Sequence, residues 1–217
     1  MQLLPRQRYL LYSLAATGVV IGALWLITWE PQETYSQTAA RAVEAGFPPV
    51  SFSFDYPRRK FERRDPGPAA RPRSGRAYVT LDRRADDGTL IERFQVGPFQ
   101  PGRAAARAPR TELPILAIPV MERTARAYRG YQLKLEGGTT AAGLSAYQFF
   151  FDARQRVGGP FPQKLYGRVL IVSRPPLNQG VAITELATGR TGLDKATDLA
   201  LDDTLENTLQ SFQFGTG

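Results

Sequence analysis

The chain has 217 residues and a formal net charge of +8, and it contains neither histidine nor cysteine. These absences exclude disulfides, cysteine nucleophiles, Ser-His-Asp triads and the common Cys or His zinc sites, so that carboxylates, Lys, Tyr and Ser remain as possible catalytic groups. After a membrane segment, the length suits one domain with its own core. Only four basic residues are lysines and the rest are arginines, a bias that we interpret as the mark of a GC-rich genome.

An uncharged run over residues 9–29 (YLLYSLAATGVVIGALWLITW) is long enough to cross a bilayer as a helix. Arg6 and Arg8 precede it, whereas Glu30 and Glu33 follow it, and the cationic flank of such a helix lies on the cytoplasmic side. The sequence therefore predicts a single-pass protein of the inner (cytoplasmic) membrane. We expect residues 1–8 to lie in the cytoplasm and residues 30–217 to lie in the periplasm or outside, where no nucleic-acid partner is expected.

The alternative to a retained anchor is a cleaved signal peptide, which also begins with positive charge. The apolar run is longer than the usual core of about 7–15 residues, and the segment from Trp25 to Gln32 lacks a small-x-small cleavage site. A retained transmembrane helix is therefore the preferred interpretation.

Two groups of residues in this helix point to contacts with the membrane and with other helices. Four aromatic residues are placed where amphipathic rings favour the headgroups of the lipid bilayer: Tyr9, Tyr12, Trp25 and Trp29. Gly18 and Gly22 have the GxxxG spacing that lets another helix approach closely, and we predict a helix-docking face there. The alternative is that glycine is simply frequent in transmembrane helices.

Residues 30–49 are predicted to be a spacer between membrane and domain. Ser36 is placed to cap a short helix over residues 38–45, which Gly46 would end. The domain then spans residues 50–217. It opens with a strand over residues 50–56, whose residues alternate as in a half-buried strand, and Pro57 ends it.

Residues 58–76 are rich in Pro, Gly and charge and are predicted to form a basic loop. Arg58, Arg59, Arg63 and Arg64 are its candidate partner-binding residues, either for an acidic protein face or for anionic lipid headgroups. Because Arg can form paired hydrogen bonds with carboxylates in ways that Lys cannot, we favour a protein partner. The alternative is a solvated loop without a partner.

A hairpin follows, with strands over residues 76–84 and 89–97 and a polar turn at residues 85–88. Asp82, Asp86 and Asp87 are the best candidates for catalysis or metal binding, since paired acids hydrolyse glycosides or bind hard cations. Asp-Asp-Gly is also what a hairpin turn requires, and we prefer that interpretation. We thus predict no catalytic residue, metal or cofactor, and expect Asn at all three positions to leave function intact.

The second half of the chain is strand-rich. After a loop at 100–110 and a helix over 119–128, strands are predicted at 131–135, 144–153, 164–173 and 180–188, with turns that include Gly137-Gly138. Phe149, Phe150 and Phe151 suggest a central strand packed on both faces, and we assign them to the core. A helix over residues 194–212 closes the domain. This order indicates an α+β fold, an antiparallel β-sheet flanked by helices.

Three segments of this domain resemble PsbP-like domains. Residues 52–57 (FSFDYP) are similar to the opening strand of that family, residues 166–172 (YGRVLIV) to its late hairpin, and residues 211–214 (SFQF) to the end of its last helix. The resemblance covers roughly residues 48–215 and implies an α/β/α sandwich. It further implies a non-enzymatic attachment or assembly role on membrane complexes, including photosynthetic ones. The anchor and the arginine-rich insertion depart from the family, so the resemblance does not identify the partner.

The sequence therefore favours a non-enzymatic accessory or assembly subunit of a bacterial membrane protein complex, with photosynthetic and respiratory complexes as the candidates. Its partners would be subunits of that complex. The alternative is an anchored envelope domain that binds a small molecule or a cell-wall component. A free-standing enzyme is the third hypothesis.

Overall fold

The computed structural model describes residues 30–66, 77–157, 161–175 and 177–215, without the side chains of 104–106 and 203. The predicted membrane segment at 9–29, with Gly18, Gly22 and the four interface aromatics, lies outside these residues and stays a prediction. Within the described ranges, no helix is both long and apolar enough to span a bilayer. Residues 33–217 form a unit of their own, and the fold below is that of this unit.

The strands of the described residues form two sheets. The strands are β1 Gln32–Gln37, β2 Phe52–Pro57, β3 Glu62–Arg64, β4 Val79–Arg84, β5 Leu90–Phe99, β6 Gln132–Ala141, β7 Leu144–Gln155, β8 Gln163–Arg174, β9 Gln179–Thr188 and β10 Gln213–Phe214. A seven-stranded antiparallel sheet has the order β3-β4-β5-β9-β8-β7-β6, and a smaller sheet has the order β1-β2-β10.

Within the described ranges, four α-helices and two short 3-10 helices pack on these sheets. They are α1 Ala39–Glu44, α2 Gly102–Arg107, α3 Pro109–Ala127 and α4 Asp203–Gln210, with 3-10 helices at Gly189–Thr191 and Ala196–Leu201. Within the described residues, α3 packs on one face of the large sheet, and the small sheet, α1 and α4 pack on the other. The predicted α+β class with an antiparallel sheet is confirmed, and the structure adds a second sheet to one layer.

The large sheet is buried on both faces because its central strands carry apolar side chains at consecutive positions. On β7, Phe150 belongs to the core shared with the small sheet, whereas Phe149 and Phe151 face α3. All three phenylalanines are at most 3% exposed, so the core assignment is confirmed. β8 alternates in the same way, with Leu170 on one face and Val169 on the other.

The two ends of the domain meet in the small sheet. Gln213 and Phe214 of β10 pair antiparallel with Ser53 and Phe52 of β2, and the rings of Phe52 and Phe212 stack with centroids 5.4 Å apart. Phe52 and Phe212 are almost completely buried. Two of the segments that resemble PsbP-like domains are thus direct neighbours, and their aromatic residues form one core cluster.

The segment predicted to be a spacer, residues 30–49, is part of the domain. It contains β1, which joins the small sheet, and α1, whose Ala42 is fully buried beside Tyr35 of β1. Thr38, and not Ser36, caps α1, because its hydroxyl accepts a hydrogen bond from the Arg41 amide at 3.2 Å. The sequence did not predict this packing, because the segments within residues 30–49 are short and of mixed composition and show no strand or helix period.

Two predicted loops contain regular structure. Within 58–76, β3 pairs with β4, and residues 67–76 lie outside the described ranges. Within 100–110, α2 forms, and α3 begins at Pro109, ten residues before the predicted start. Pro114 and Pro119 lie inside α3, where each removes one backbone hydrogen bond. Burial of Leu113 and Ala117 against the large sheet offsets that loss.

Two further boundaries differ from the predicted ones. Gly137 and Gly138 continue β6, and the chain reverses instead at Ala142 and Gly143, both with positive φ. The predicted helix over 194–212 is broken at Asp202, which has an extended ψ of 112°. The Asp202 carboxylate accepts hydrogen bonds from the amides of the first turn of α4, so this acid starts a second helix.

The close packing at Gly167 gives a testable prediction. A Cβ at this position of β8 would overlap the ring of Phe151, its cross-strand partner, which is fully buried. We expect Gly167→Ala to lower the free energy of unfolding by about 1–3 kcal/mol, because the ring has to leave its packed position.

Gly138→Ala is the matched control, since the added methyl on β6 meets no atom within 4 Å. It should change the free energy of unfolding by no more than about 0.5 kcal/mol. Denaturant unfolding of the full-length protein in mild detergent, followed by circular dichroism, measures both. Equal effects of the two variants would contradict the packing described for Phe151.

Candidate functional site

Three arginines converge on one buried carboxylate at the β3 edge of the large sheet, and we call this group the arginine cluster: Asp82, Arg64, Arg84 and Arg93. The Asp82 side chain has no exposed surface. Arg93 donates to its Oδ1 at 2.6 Å from Nε and to its Oδ2 at 3.0 Å from Nη2, and Arg84 donates to Oδ2 at 2.8 Å. Arg64 forms a further ion pair with Oδ2.

Strand register places these four residues on one face of the sheet. Arg93 of β5 lies directly opposite Asp82 of β4, and Arg84 follows two residues later on the same strand. Arg64 of β3 lies opposite Thr80, two positions before Asp82. Residues two apart on a strand share a face, so the ladder itself brings the three guanidinium groups together.

The arginine cluster carries positive charge in excess. Three guanidinium groups share one carboxylate, and each offers five N–H donors to an acceptor with about four lone-pair sites. Burial and, next, the guanidinium groups of Arg93 and Arg84 lower the pKa of Arg64, whereas Glu62 on β3 opposes that shift. The Arg64, Arg84 and Arg93 side chains remain 48%, 32% and 26% exposed. Three partly exposed guanidinium groups therefore lie beside one fixed carboxylate.

A second group of arginines lies nearby in the chain, around Glu33 and Asp65. Arg63 bridges these two acids, at 2.9 Å from Glu33 and 3.4 Å from Asp65. Arg58 pairs with Glu33 at 3.3 Å, and Arg41 pairs with Asp65 at 2.9 Å. Arg58 is 76% exposed, so its ion pair contributes little to stability.

The four predicted partner-binding arginines are therefore divided between two places. Arg63 and Arg64 lie on β3 and hold ion pairs within the domain, whereas Arg58 and Arg59 lie in the turn before β3 and are exposed. The prediction of a basic loop is wrong for Arg63 and Arg64, because both lie on β3, which pairs with β4. Their role in binding a partner stays a prediction. No sequence pattern indicated that Asp82 pairs with Arg64, although Asp82 and Arg84 are two residues apart on one predicted strand.

The three predicted carboxylates do not form one cluster. Asp86 and Asp87 lie in the hairpin turn, as expected, where Gly88 has a φ of +76°. The Arg190 guanidinium, at 2.7 Å, and the Thr89 amide hold the pKa of Asp87 at about 2. Asp82 lies on β4 and is buried in the arginine cluster. Among the described residues, no group of acids is arranged to hold a metal ion.

A second buried ionic group joins the large sheet to α4. Arg168 of β8 contacts Glu185 of β9 at 3.3 Å and Glu206 of α4 at 2.7 Å, and it donates to the Gln148 side chain at 2.9 Å. Burial raises the pKa of Glu185 to about 8, and Arg168 opposes that shift. This group ties α4 to the sheet, and we assign it a structural role. The sequence indicated this ionic group only through two charged residues in otherwise apolar strands, Arg168 and Glu185.

Comparisons with known proteins concern the fold. No known protein family and no curated protein matches the sequence. Among solved structures, the chain is similar to PsbP (CyanoP) of Synechocystis sp. PCC 6803, with 13% identity over 87% of this chain and 95% of that one, and a TM-score of 0.49. A PsbP-like structure is thus among those that this fold resembles, as the sequence resemblance predicted.

Two other solved structures are similar over comparable lengths. LpqN of Mycobacterium tuberculosis, which is involved in cell envelope biogenesis, has 15% identity over 85% of this chain and 92% of its own, with a TM-score of 0.45. The Ran-binding protein Mog1p of Saccharomyces cerevisiae has 10% identity over 84% and 96%, with a TM-score of 0.46. At such identities the likeness concerns the fold alone, and no site residue is transferred from these proteins.

The arginine cluster gives a testable prediction about Asp82. Asp82→Asn removes the one charge that holds three guanidinium groups together, and we expect the free energy of unfolding to fall by about 3–5 kcal/mol. Asp86→Asn, in the same hairpin but exposed, should change it by less than about 0.5 kcal/mol.

Thermal or denaturant unfolding of the full-length protein measures both variants. A mild effect of Asp82→Asn, similar to that of Asp86→Asn, would contradict the ion pairing described here. The expectation that Asn at positions 82, 86 and 87 together leaves function intact is revised accordingly, because the Asp82 change perturbs the fold itself.

Proposed function

We propose that this chain is a non-enzymatic accessory or assembly subunit of a bacterial membrane protein complex. In this proposal, residues 9–29 anchor it in the inner membrane with the N-terminus in the cytoplasm, and the domain docks on an acidic protein face outside. The observation that supports docking is the excess of partly exposed guanidinium groups at the β3 edge. Guanidinium groups already oriented by an ion pair lose little freedom when they bind a second carboxylate.

The chemistry of the chain favours docking over catalysis. The sequence offers no histidine or cysteine, and two of the best catalytic candidates, Asp82 and Asp87, are held in ion pairs with arginines. The sequence resemblance to PsbP-like domains suggests a photosynthetic or respiratory complex as the partner. The second candidate function, an envelope domain that binds a small molecule, is favoured by the groove described in the next subsection.

Two attachments would act together in this proposal. A contact of the helix through Gly18 and Gly22 would make the docking of the domain an intramolecular event, at an effective concentration roughly in the millimolar range for a short connection. Each contact then needs only modest affinity.

Charge reversal at the exposed turn tests the docking contact. Arg58→Glu combined with Arg59→Glu places negative charge in the turn that precedes β3, and it removes one ion pair, the exposed Arg58–Glu33 contact, which contributes little to stability. We expect the amount of partner that co-purifies with the full-length protein to fall roughly tenfold or more, because like charges then face each other across the contact. Purification from native membranes in mild detergent, followed by a native gel, measures this amount.

Arg107→Glu with Arg110→Glu is the matched control, since both residues are exposed and the change in net charge is identical. A further arm, Gly18→Ile with Gly22→Ile, tests the helix contact, because branched side chains would hold a partner helix away without preventing insertion. If the protein migrates alone in every case, or if the control reduces the partner as strongly as the Arg58 and Arg59 variant, the docking proposal fails.

A further inference from the structure

A groove of about 540 Å³ lies between α3 and the face of the large sheet that α3 covers. This volume is within the range of about 300–1,000 Å³ that is typical of small-molecule sites. It lies on the same face of the large sheet as the arginine cluster, since Gln95 of the groove and Arg93 of the cluster are two residues apart on β5. Binding in the groove does not rest on the proposed docking function.

Strand register builds the floor of the groove. Gln95 of β5 pairs with Thr184 of β9, which pairs with Val169 of β8, and these side chains form one row. In the adjacent row, Gly97 pairs with Ala182. Gly97 has no side chain and Ala182 has only a methyl group, so these two positions leave space beneath α3 that larger strand residues would fill.

The groove is apolar at one end and polar at the other. Leu116 of α3 packs near Phe99 at the apolar end, in the core cluster that also includes Ala182. At an α-helical rise of 1.5 Å per residue, Arg123 and Thr124 of α3 lie about 10–12 Å along the helix from Leu116. The helix runs toward the Arg93 row of the sheet, because the ring of Tyr128, directly after α3, lies 5.3 Å from the ring of Phe151 in that row.

The polar end has a defined chemistry. Gln95 and Thr184 are half-buried and stand side by side on the floor. The hydroxyl of Thr124 donates to the Val120 carbonyl at 2.9 Å, so it is already engaged. Arg123 is the one charged residue that lines the groove among the described residues, and no acidic side chain joins it there.

We infer that this groove binds a single-chain amphiphile with an anionic head group, a carboxylate or a phosphate. The alkyl chain lies along Leu116, Val120 and Val169, where it is removed from water. The head group lies at Arg123, where Gln95 and Thr184 add neutral donors. A cation at one end of an apolar groove that lacks acids is complementary to an anionic amphiphile and repels a cationic one.

Photolabelling tests this inference with defined probes. The full-length protein, in nanodiscs of phosphatidylcholine, is exposed to three alkyl-diazirine probes of equal chain length: a fatty carboxylate, an alkyl phosphate and an alkyltrimethylammonium. We expect one or both anionic probes to label residues 95–99 or 116–124 at least tenfold more than the cationic probe does. The relative labelling by the two anionic probes distinguishes a fatty acid from a phosphate headgroup as the source.

Two variants locate the labelled site. Arg123→Gln should reduce labelling by the anionic probes about fivefold, whereas Arg126→Gln, exposed on the same helix but outside the groove lining, should not. Ala182→Leu fills the floor and should abolish labelling in the groove. If Ala182→Leu fails to fold, the exposed Arg123 variant decides alone.

Three results would each overturn the inference: equal labelling by the cationic and anionic probes, unchanged labelling of Arg123→Gln, or labels that fall only on residues outside the groove.

Discussion

The buried carboxylate of Asp82 is the constraint on which one edge of this domain depends. A charge removed from water has to be paired, and Asp82 is paired with guanidinium groups from β3, β4 and β5. These pairs join the side chains of three neighbouring strands in one register. One carboxylate neutralises only one of the three guanidinium groups that it orients. The ion pairs that stabilise the sheet edge therefore also leave positive charge exposed to solvent. Stability and the proposed docking role therefore share one set of side chains.

The arginine cluster and the apolar groove lie on the same face of the large sheet but differ in chemistry. On the groove face, small residues at Gly97 and Ala182 leave space under α3, whose single groove-lining charge is Arg123. On the opposite face, aromatic residues such as Phe52 and Phe212 pack in one core cluster, and a second cavity of about 600 Å³ lies beside Phe212 and Phe214. The domain thus has an aromatic side, where β2 and β10 of the small sheet pair, and an apolar groove beneath α3.

Sequence patterns predicted most of the elements whose side chains alternate strongly. The buried face of β2, the hairpin of β4 and β5, and the two-sided packing of Phe149 to Phe151 followed from a period of two. The helix α1 was predicted within one residue at each end, whereas β1, β3 and α2 were missed, because they are short and depend on packing against distant residues for their stability. The arginine cluster was missed for a related reason. Arg64 meets Asp82 only through the pairing of β3 with β4, which a charged, Pro-rich segment did not indicate.

We propose that the surplus charge of the arginine cluster holds an acidic partner. The dependence of this contact on salt concentration is its most direct test. Screening shortens the range of charge interactions from about 10 Å at 0.1 M salt to about 3 Å at 1 M, and exposed pairs weaken first. The account predicts that a complex isolated from native membranes releases its outer-domain contact as KCl rises from about 50 mM to about 500 mM. Crosslinks from the β3 edge to acidic partner residues would then disappear. A complex whose crosslinks at this edge persist unchanged across that range would contradict the claim.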